Sequence, residues 1–235
     1  MTSEWEGKSA LVTGGTSGIG KAIAEALHRA GCSVRVTGLP DPDCESSVLP
    51  ATPVDVASQV EVDRLISTLE TLDILVNCAG TIQRDVEFDI ATFERVLGVN
   101  LTGTMRLCVG CRPLLAKSRG CIVNTASMLS FFGGARVPAY SASKGGIAQL
   151  TKSLAIAWAP EHIRVNAVAP GWISSNLTAA LQQDPAGSAQ IVARTPMSRW
   201  GTPEDVAGPV LFLCSQAAAF VTGVVLPVDG GYSIR

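Results

Sequence analysis

The chain has 235 residues, of which 47% are hydrophobic and 16% charged, and its formal net charge is -2. This length suits one α/β domain better than two, and the apolar content is enough for a large core. The weak negative charge and the absence of basic runs exclude an electrostatic binder of nucleic acid. No apolar stretch predicts a membrane span, and no signal-peptide pattern is present, so the cytosol is the expected compartment.

Short apolar runs alternate with helical patterns along the chain. The first run, Ser9–Thr13, precedes a helical pattern at Gly18–Ala30 and a second run at Ser33–Thr37. Further strands are predicted at 74–78, 121–125, 164–168 and 224–228, and further helices at 60–69, 93–115, 139–157 and 204–213. Apolar strands separated by helices predict one domain over 1–235, a Rossmann-type doubly wound parallel sheet with helices on both faces.

Two segments break this alternation. Residues 39–53 contain four prolines, which disfavour a helix, so a loop with little regular structure is predicted there. Residues 172–200 are punctuated by proline and glycine, and they are predicted to form a lid over a substrate, with short helices at 176–182 and 188–193.

The seven cysteines are odd in number and scattered, which argues against a disulfide framework. Cys108 and Cys111 are open to two interpretations, a redox or zinc pair, or two small apolar residues one turn apart on a helix. No second pair or neighbouring histidine completes a metal site, so we favour the packing interpretation and expect no metal.

A glycine-rich turn, T-G-G-T-S-G-I-G at 13–20, joins the first strand to the first helix. Gly14 and Gly18 permit a sharp turn and close approach to a pyrophosphate, and Gly20 lets the helix pack against the strand. The helix N-terminus offers free N–H groups and a positive dipole end to an anion. A glycine-rich turn is weak evidence by itself, but its place between a strand and a helix predicts a dinucleotide site.

The end of the second strand bears on the choice of coenzyme. An acid there favours NAD, and an arginine favours NADP. Residues 38–39, Gly-Leu, supply neither; Asp41 lies slightly beyond, and the nearest base, Arg35, lies within the strand. The lack of a well-placed cation favours NAD, with NADP as the alternative. Asp55 and Val56, which follow the proline-rich segment, are expected beside the adenine.

Tyr140 and Lys144 are four residues apart at the start of a helical pattern, a spacing that places both on one face. A neighbouring ammonium favours the phenolate and lowers the pKa of the tyrosine, so the pair could exchange a proton with a carbinol oxygen. Such a pair is commonly a solvated surface pair. Ser127, Asn100 and the N-C-A-G segment at 77–80 strengthen the case, because all are predicted at the same sheet edge.

These motifs together resemble the short-chain dehydrogenase/reductase family over nearly the whole chain. The glycine turn, N-x-A-G, Asn100, Ser127, Y-x-x-x-K and P-G at 170–171 occur in the family's order, and Ser127 stands thirteen residues before Tyr140, as in the family. The resemblance implies that Tyr140 is the general acid/base and that Ser127 orients the reacting oxygen. It implies that Lys144 holds the nicotinamide ribose and lowers the pKa of Tyr140, and that Asn100 positions a proton-relaying water.

The coenzyme contacts follow from the same resemblance. Besides Tyr140 and Lys144, the implied contacts are Gly14, Ser17, Gly18, Ile19, Gly20, Asp55, Val56, Asn77, Ala79, Gly80, Pro170, Gly171, Ile173 and Ser175.

The segment 126–144, R-W-G-x-P at 199–203 and the ending V-D-G-G-Y are similar to the sugar-acid branch of the family, the 2-dehydro-3-deoxy-D-gluconate 5-dehydrogenases and gluconate dehydrogenases. This implies NAD(P)-dependent interconversion of a secondary alcohol and a ketone on a polar, hydroxylated, anionic substrate, and a homotetramer. Candidate substrate contacts are Gln83, Arg84 and Arg136, because the guanidinium fork binds carboxylates.

Three other functions fit only parts of the sequence. A 3-oxoacyl-thioester reductase is expected to prefer NADP and to offer a basic patch to an acidic carrier protein, and no such patch is evident. A non-catalytic dinucleotide-binding protein would keep the glycine turn and lose the tyrosine site. A serine hydrolase would need His28 or His162, which have no plausible acid partner, and a G-x-S-x-G elbow, which is absent.

Overall fold

The structure, a computed structural model, describes residues 4–39 and 49–235. The strands in these ranges are β1 Ser9–Thr13, β2 Ser33–Thr37, β3 Ala51–Thr52, β4 Ile74–Asn77, β5 Cys121–Thr125, β6 Arg164–Pro170 and β7 Val225–Val228. They form one parallel sheet in the order β3-β2-β1-β4-β5-β6-β7. The direction of winding reverses between β1 and β4, which is where an open α/β sheet binds ligands.

Helices cover both faces of this sheet. They are α1 Gly18–Ala30, α2 Gln59–Ser67, α3 Ile90–Leu97, α4 Thr104–Ser118, α5 Pro138–Trp158, α6 Ala179–Gln182, α7 Pro185–Arg194 and α8 Pro203–Cys214. The predicted fold class, a doubly wound Rossmann-type sheet in a single domain, is confirmed.

The core is divided into two layers by the sheet. Because successive side chains of a strand point to opposite faces, Val12 joins the cluster formed with α1 and α8, whereas Leu11 joins the cluster formed with α2, α4 and α5. Cys108 and Cys111 are fully buried in the second cluster, in agreement with the packing interpretation. Burial raises the pKa of both thiols, that of Cys111 to about 12.

The long helix predicted at 93–115 differs from the structure in its start and its interior. It begins at Ile90 because the Asp89 side chain caps it by accepting a hydrogen bond from the Thr92 N–H at 2.9 Å. A π-helical turn, Gly98–Gly103, then joins α3 to α4. Asn100 therefore lies inside a continuous helical segment, within the predicted range 93–115, but in a π-helical turn and not in a regular α-helix.

The proline-rich segment 39–53 needs a similar correction. Ala51–Thr52 is a short strand that pairs with β2 at the sheet edge, so this part of the predicted loop has regular structure. Proline residues on either side are tolerated because an edge strand leaves some N–H groups unpaired. The rest of the segment, including Asp41, lies outside the described residues. Within the described ranges, no helix is long and apolar enough to cross a membrane.

The central strand β5 offers a test of the packing. Ile122 is fully buried between β4 and β6, so Ile122→Ala should lower the free energy of unfolding by about 2–5 kcal/mol. Ile90 is 69% exposed, and the same change there should cost much less. Chemical denaturation of both variants measures the difference, and equal losses would contradict the assignment of β5 to the core.

Candidate active site

A cavity of about 1190 Å³ opens at the carboxyl ends of the central strands. Its lining extends from the glycine turn after β1 to Tyr140 at the start of α5. Sites for single small molecules commonly measure 300–1,000 Å³. The cavity therefore has room for a dinucleotide together with a second small molecule.

The glycine turn is shaped so that backbone can approach a ligand. Gly14 has a φ of 63°, and a Cβ there would lie 2.6 Å from the backbone nitrogen of Ala79. A Cβ at Gly20 would lie 2.2 Å from the Gly14 carbonyl oxygen. The α1 N-terminus lines the cavity with no acid in its first turn, and the Ser17 side chain makes no capping hydrogen bond. These groups fit a pyrophosphate.

Most of the residues expected at the coenzyme line this cavity. They are Gly14, Ser17, Gly18, Ile19, Gly20, Asp55, Val56, Ala79, Gly80, Tyr140, Lys144, Pro170, Gly171, Ile173 and Ser175. They lie at or after the carboxyl ends of five different strands, which the parallel sheet brings to one edge.

Asn77 differs from the expectation. It is buried at the end of β4 and does not line the cavity. Its Nδ2 donates to Oδ1 of Asn124 on β5 at 2.9 Å, and Nδ2 of Asn124 donates to the Thr151 hydroxyl on α5 at 3.0 Å. Asn77 therefore ties β4 to its neighbours beneath the site, and its identification as a coenzyme contact is corrected.

Ser127 and Tyr140 form the polar pair at the far end of the cavity. Ser127 follows β5 and is buried, and both its side chain and the Tyr140 phenol line the cavity. The surrounding protein removes water from the phenol and raises the pKa of Tyr140, while the Ser127 hydrogen bond and the Arg84 guanidinium lower it by less. At neutral pH the phenol is therefore a proton donor in this state.

Lys144 lies one turn further along α5 and is only 4% exposed. Its Nζ donates to the Thr125 carbonyl at 2.6 Å and stands 5.5 Å from the centroid of the Tyr140 ring. Burial lowers the pKa of Lys144 to about 8, and Cys78 raises it slightly. The Lys144 ammonium thus lies beside the Tyr140 ring, and the lowering of the Tyr140 pKa by this charge stays a prediction.

The Asn100 amide is fully engaged in fixing the loop after β4. Its Oδ1 accepts from the Thr81 N–H at 2.7 Å, and its Nδ2 donates to the Thr81 carbonyl at 2.9 Å and to the Ser143 hydroxyl at 3.0 Å. Asn100 does not line the cavity. The structure thus gives its side chain a structural contact, and the expected water-positioning role stays a prediction.

The three predicted substrate contacts all line the cavity, but their partners differ. Arg136 forms a two-point ion pair with Asp85, with Nε 2.6 Å from Oδ1. Arg84 is half-buried, and it donates to the Leu177 carbonyl at 3.2 Å. No carboxylate among the described residues pairs with Arg84. Arg84 is therefore freer than Arg136 to bind an anion.

A further arginine of the cavity was missed by sequence reasoning. The Arg194 guanidinium lies 4.3 Å from the centroid of the Tyr232 ring and 5.7 Å from that of Phe132, and no carboxylate of the described residues pairs with it. All three residues line the cavity. They come from separate parts of the chain, so no local pattern marks them.

Comparisons with known proteins agree with this geometry. Residues 14–233 match the family model described as Enoyl-(Acyl carrier protein) reductase. A 2-dehydro-3-deoxy-D-gluconate 5-dehydrogenase of Pseudoalteromonas atlantica is 40% identical, over 98% of this chain and 97% of that protein. A 3-oxoacyl-[acyl-carrier-protein] reductase of Aquifex aeolicus is 37% identical, over 98% of this chain and 99% of that protein.

A solved structure from Agrobacterium tumefaciens, provisionally described as a 2-deoxy-D-gluconate 3-dehydrogenase and containing NADP, is 41% identical with a TM-score of 0.89, over 98% of each chain. The likeness extends over nearly the whole chain. The chain therefore belongs to the short-chain dehydrogenase/reductase family of NAD(P)-dependent oxidoreductases.

Proposed function

We propose that Tyr140, Ser127 and Lys144 catalyse the interconversion of a secondary alcohol and a ketone. The observation that carries this proposal is that Ser127, Tyr140 and Lys144 line one end of a cavity whose other end is the glycine turn. A bound nicotinamide coenzyme supplies or accepts the hydride. During ketone reduction the Tyr140 phenol donates its proton to the carbonyl oxygen, and during alcohol oxidation the phenolate takes the hydroxyl proton.

Ser127 and Lys144 support this proton transfer in different ways. The Ser127 hydroxyl can hydrogen-bond the reacting oxygen while it contacts Tyr140, which orients the substrate. The Lys144 ammonium is held by the Thr125 carbonyl and has further N–H donors for the hydroxyls of a nicotinamide ribose. Asn100 acts indirectly in this scheme, because its amide fixes the loop that covers Lys144.

For the coenzyme we propose NAD, bound by the cavity residues named above with its pyrophosphate on the glycine turn. Support comes from the end of β2, where Gly38 and Leu39 line the cavity without a cation among the described residues. Arg35 is turned away, because it donates to the carbonyl and the hydroxyl of Thr68. NADP is the alternative, since the Agrobacterium tumefaciens structure contains it.

For the substrate we propose a hydroxylated sugar acid. The curated relative from Pseudoalteromonas atlantica supports this choice, and so does the charge of the cavity. Asp55 is the only acidic residue among the described residues that line the cavity, and it lies at the end of the cavity where we propose that the adenine binds. The lining cations are Arg84, Arg95, Arg136, Lys144 and Arg194. An anionic substrate matches this imbalance, with Arg84 and Arg194 as its preferred anchors.

A 3-oxoacyl thioester is the alternative substrate, favoured by the Aquifex aeolicus relative. In either case residues 172–200, with α6 and α7, would act as the lid, because Leu177, Leu181 and Arg194 of this segment line the cavity.

The homotetramer and the cytoplasmic location stay predictions. Exposed apolar side chains on α4 and α5, Val109 and Ile156, support subunit contacts.

Tyr140→Phe tests the proposed acid/base. We expect kcat to fall by about 10²–10⁴-fold with little change in dinucleotide binding, because only the reacting hydroxyl is lost. Tyr232 is the second of the two tyrosines and lines the same cavity, so Tyr232→Phe is the matched control. Steady-state kinetics and dinucleotide titration measure both effects, and a Tyr140→Phe variant with more than roughly a tenth of parental kcat would contradict the assignment.

Arg194→Gln and Arg84→Gln test the anionic substrate. A screen of sugar acids, polyols and acyl thioesters with NAD(H) and NADP(H) first identifies the preferred pair. We expect each substitution to lower kcat/KM for the acid by about tenfold or more, chiefly through KM, with a smaller effect on an uncharged analogue. Arg136→Gln is the comparison variant, since the Asp85 carboxylate already binds the Arg136 guanidinium. Equal losses on charged and uncharged substrates would argue against carboxylate recognition.

Lys144→Met tests how much the buried ammonium of Lys144 lowers the free energy of unfolding. The folded pKa of about 8 lies below the ordinary 10.5, so the parent is destabilised below pH 8 and gains stability as the pH rises from 8 towards 10.5. We expect Lys144→Met to be inactive yet more stable at pH 7, by up to roughly 3 kcal/mol. The advantage should shrink towards pH 10 in denaturation experiments.

Lys152 provides the control for that measurement. It is an exposed lysine on α5, so Lys152→Met should leave the stability at pH 7 close to that of the parent. A Lys144→Met variant that is less stable than the parent at pH 7 would show that the ammonium is held more favourably than its burial implies.

A further inference from the structure

The Glu87 carboxylate is fully buried, although it does not line the cavity. Its Oε1 accepts a hydrogen bond from the Gln83 N–H at 2.8 Å, and its Oε2 accepts one from the Tyr140 N–H at 2.8 Å. A buried carboxylate is costly unless hydrogen bonds or a cation compensate it. No ion pair of the described residues includes Glu87, so these two N–H groups supply the compensation.

The first turn of α5 lacks an acceptor of its own. Val137 occupies the N-cap position and makes no side-chain capping bond, and Pro138, the first residue of the helix, has no N–H. Glu87 provides the missing acceptor from another part of the chain. Its negative charge also lies at the positive end of the helix dipole. The N–H group that it holds is that of Tyr140.

The turn before Glu87 is attached to the same region by an exposed contact. Asp85 has a φ of 70°, its N–H donates to the Arg136 carbonyl at 3.0 Å, and its carboxylate pairs with the Arg136 guanidinium. Glu87, which is buried, connects the same turn to α5 through its two hydrogen bonds. Together the two acids join the cavity wall at 83–84 to the start of α5.

We propose that Glu87 is a positioning residue, whose carboxylate fixes Tyr140 relative to the substrate-side residues Gln83 and Arg84. The inference rests on the proposed catalytic role of Tyr140. The charged groups around the phenol are Arg84 and Glu87 from the turn and Lys144 from α5. The Glu87 charge raises the pKa of Tyr140, so its removal should have a titration signature besides its effect on rate.

Glu87→Gln removes the charge and one hydrogen bond, because an amide nitrogen cannot accept from a backbone N–H. We expect kcat per dinucleotide-binding site to fall about tenfold or more, with dinucleotide affinity nearly unchanged. The midpoint of the kcat–pH profile should move to lower pH. Glu87→Asp keeps the charge but is too short to reach both N–H groups, so kcat should fall without that shift.

Glu94→Gln is the matched control. It removes one negative charge from an exposed position on α3. Since Glu94 does not line the cavity, we expect both kcat and the pH midpoint to stay near those of the parent.

A second readout needs no substrate. In a Tyr232→Phe background, Tyr140 is the only tyrosine of the chain, so the absorbance of tyrosinate follows its ionisation directly. In protein that circular dichroism shows to be folded, Glu87→Gln should lower the midpoint of this titration relative to the background. If Glu87→Gln does not fold, the kcat of Glu87→Asp decides, and parental kcat there contradicts the inference.

Two results would overturn the proposal for Glu87. One is parental kcat with an unshifted tyrosinate midpoint. The other is loss of dinucleotide binding in proportion to kcat, which would show a purely structural role. Failure of the proposed function looks different, because Tyr140→Phe would then keep its activity. An inactive Tyr140→Phe beside a normal Glu87→Gln rejects this inference alone.

Discussion

The site depends on how closely two backbones meet where β1 and β4 end. The Cys78 N–H donates to the Thr13 carbonyl, and the Ala79 N–H donates to the Thr13 hydroxyl, both at 3.2 Å. The chain that leaves β4 is thereby held against the glycine turn, where Gly14 leaves no room for a side chain. This contact fixes the spacing between the anion-binding helix end and the loop that leads to the proton-transfer residues.

The interior of the site is held mainly by side chains that bind backbone atoms. Lys144 donates to the Thr125 carbonyl, the Asn100 amide holds both polar atoms of the Thr81 backbone, and the Glu87 carboxylate binds two N–H groups. Each of these polar groups is buried at a cost, which its hydrogen bonds offset. Because the partners are main-chain atoms, these residues determine the course of the loops and not only the position of one side chain.

The sequence predicted the sheet, its layers and the two contiguous motifs at 13–20 and 140–144, because these depend on local periodicity and spacing. It placed Asn77 and Asn100 at the correct sheet edge but did not predict the hydrogen-bond partners of their side chains. The partners of an amide depend on which loops pack over it. Glu87 and Arg194 were not identified. The Glu87–Tyr140 bond joins residues 53 apart, and no local pattern encodes such a contact.

The π-helical turn at 98–103 determines how the helical segment that contains it responds to the loss of one residue. Such a turn carries one residue more than an α-helical turn. Loss of one residue from 98–103 would restore a regular α-helix and leave α3 and α4 close to their present orientation, because the wider turn already absorbs the extra residue. Val96 on α3 would stay in the core, whereas the Asn100 amide, which lies inside the turn, would leave Thr81. A one-residue deletion at this position would therefore act on the loop after β4 and not on the core.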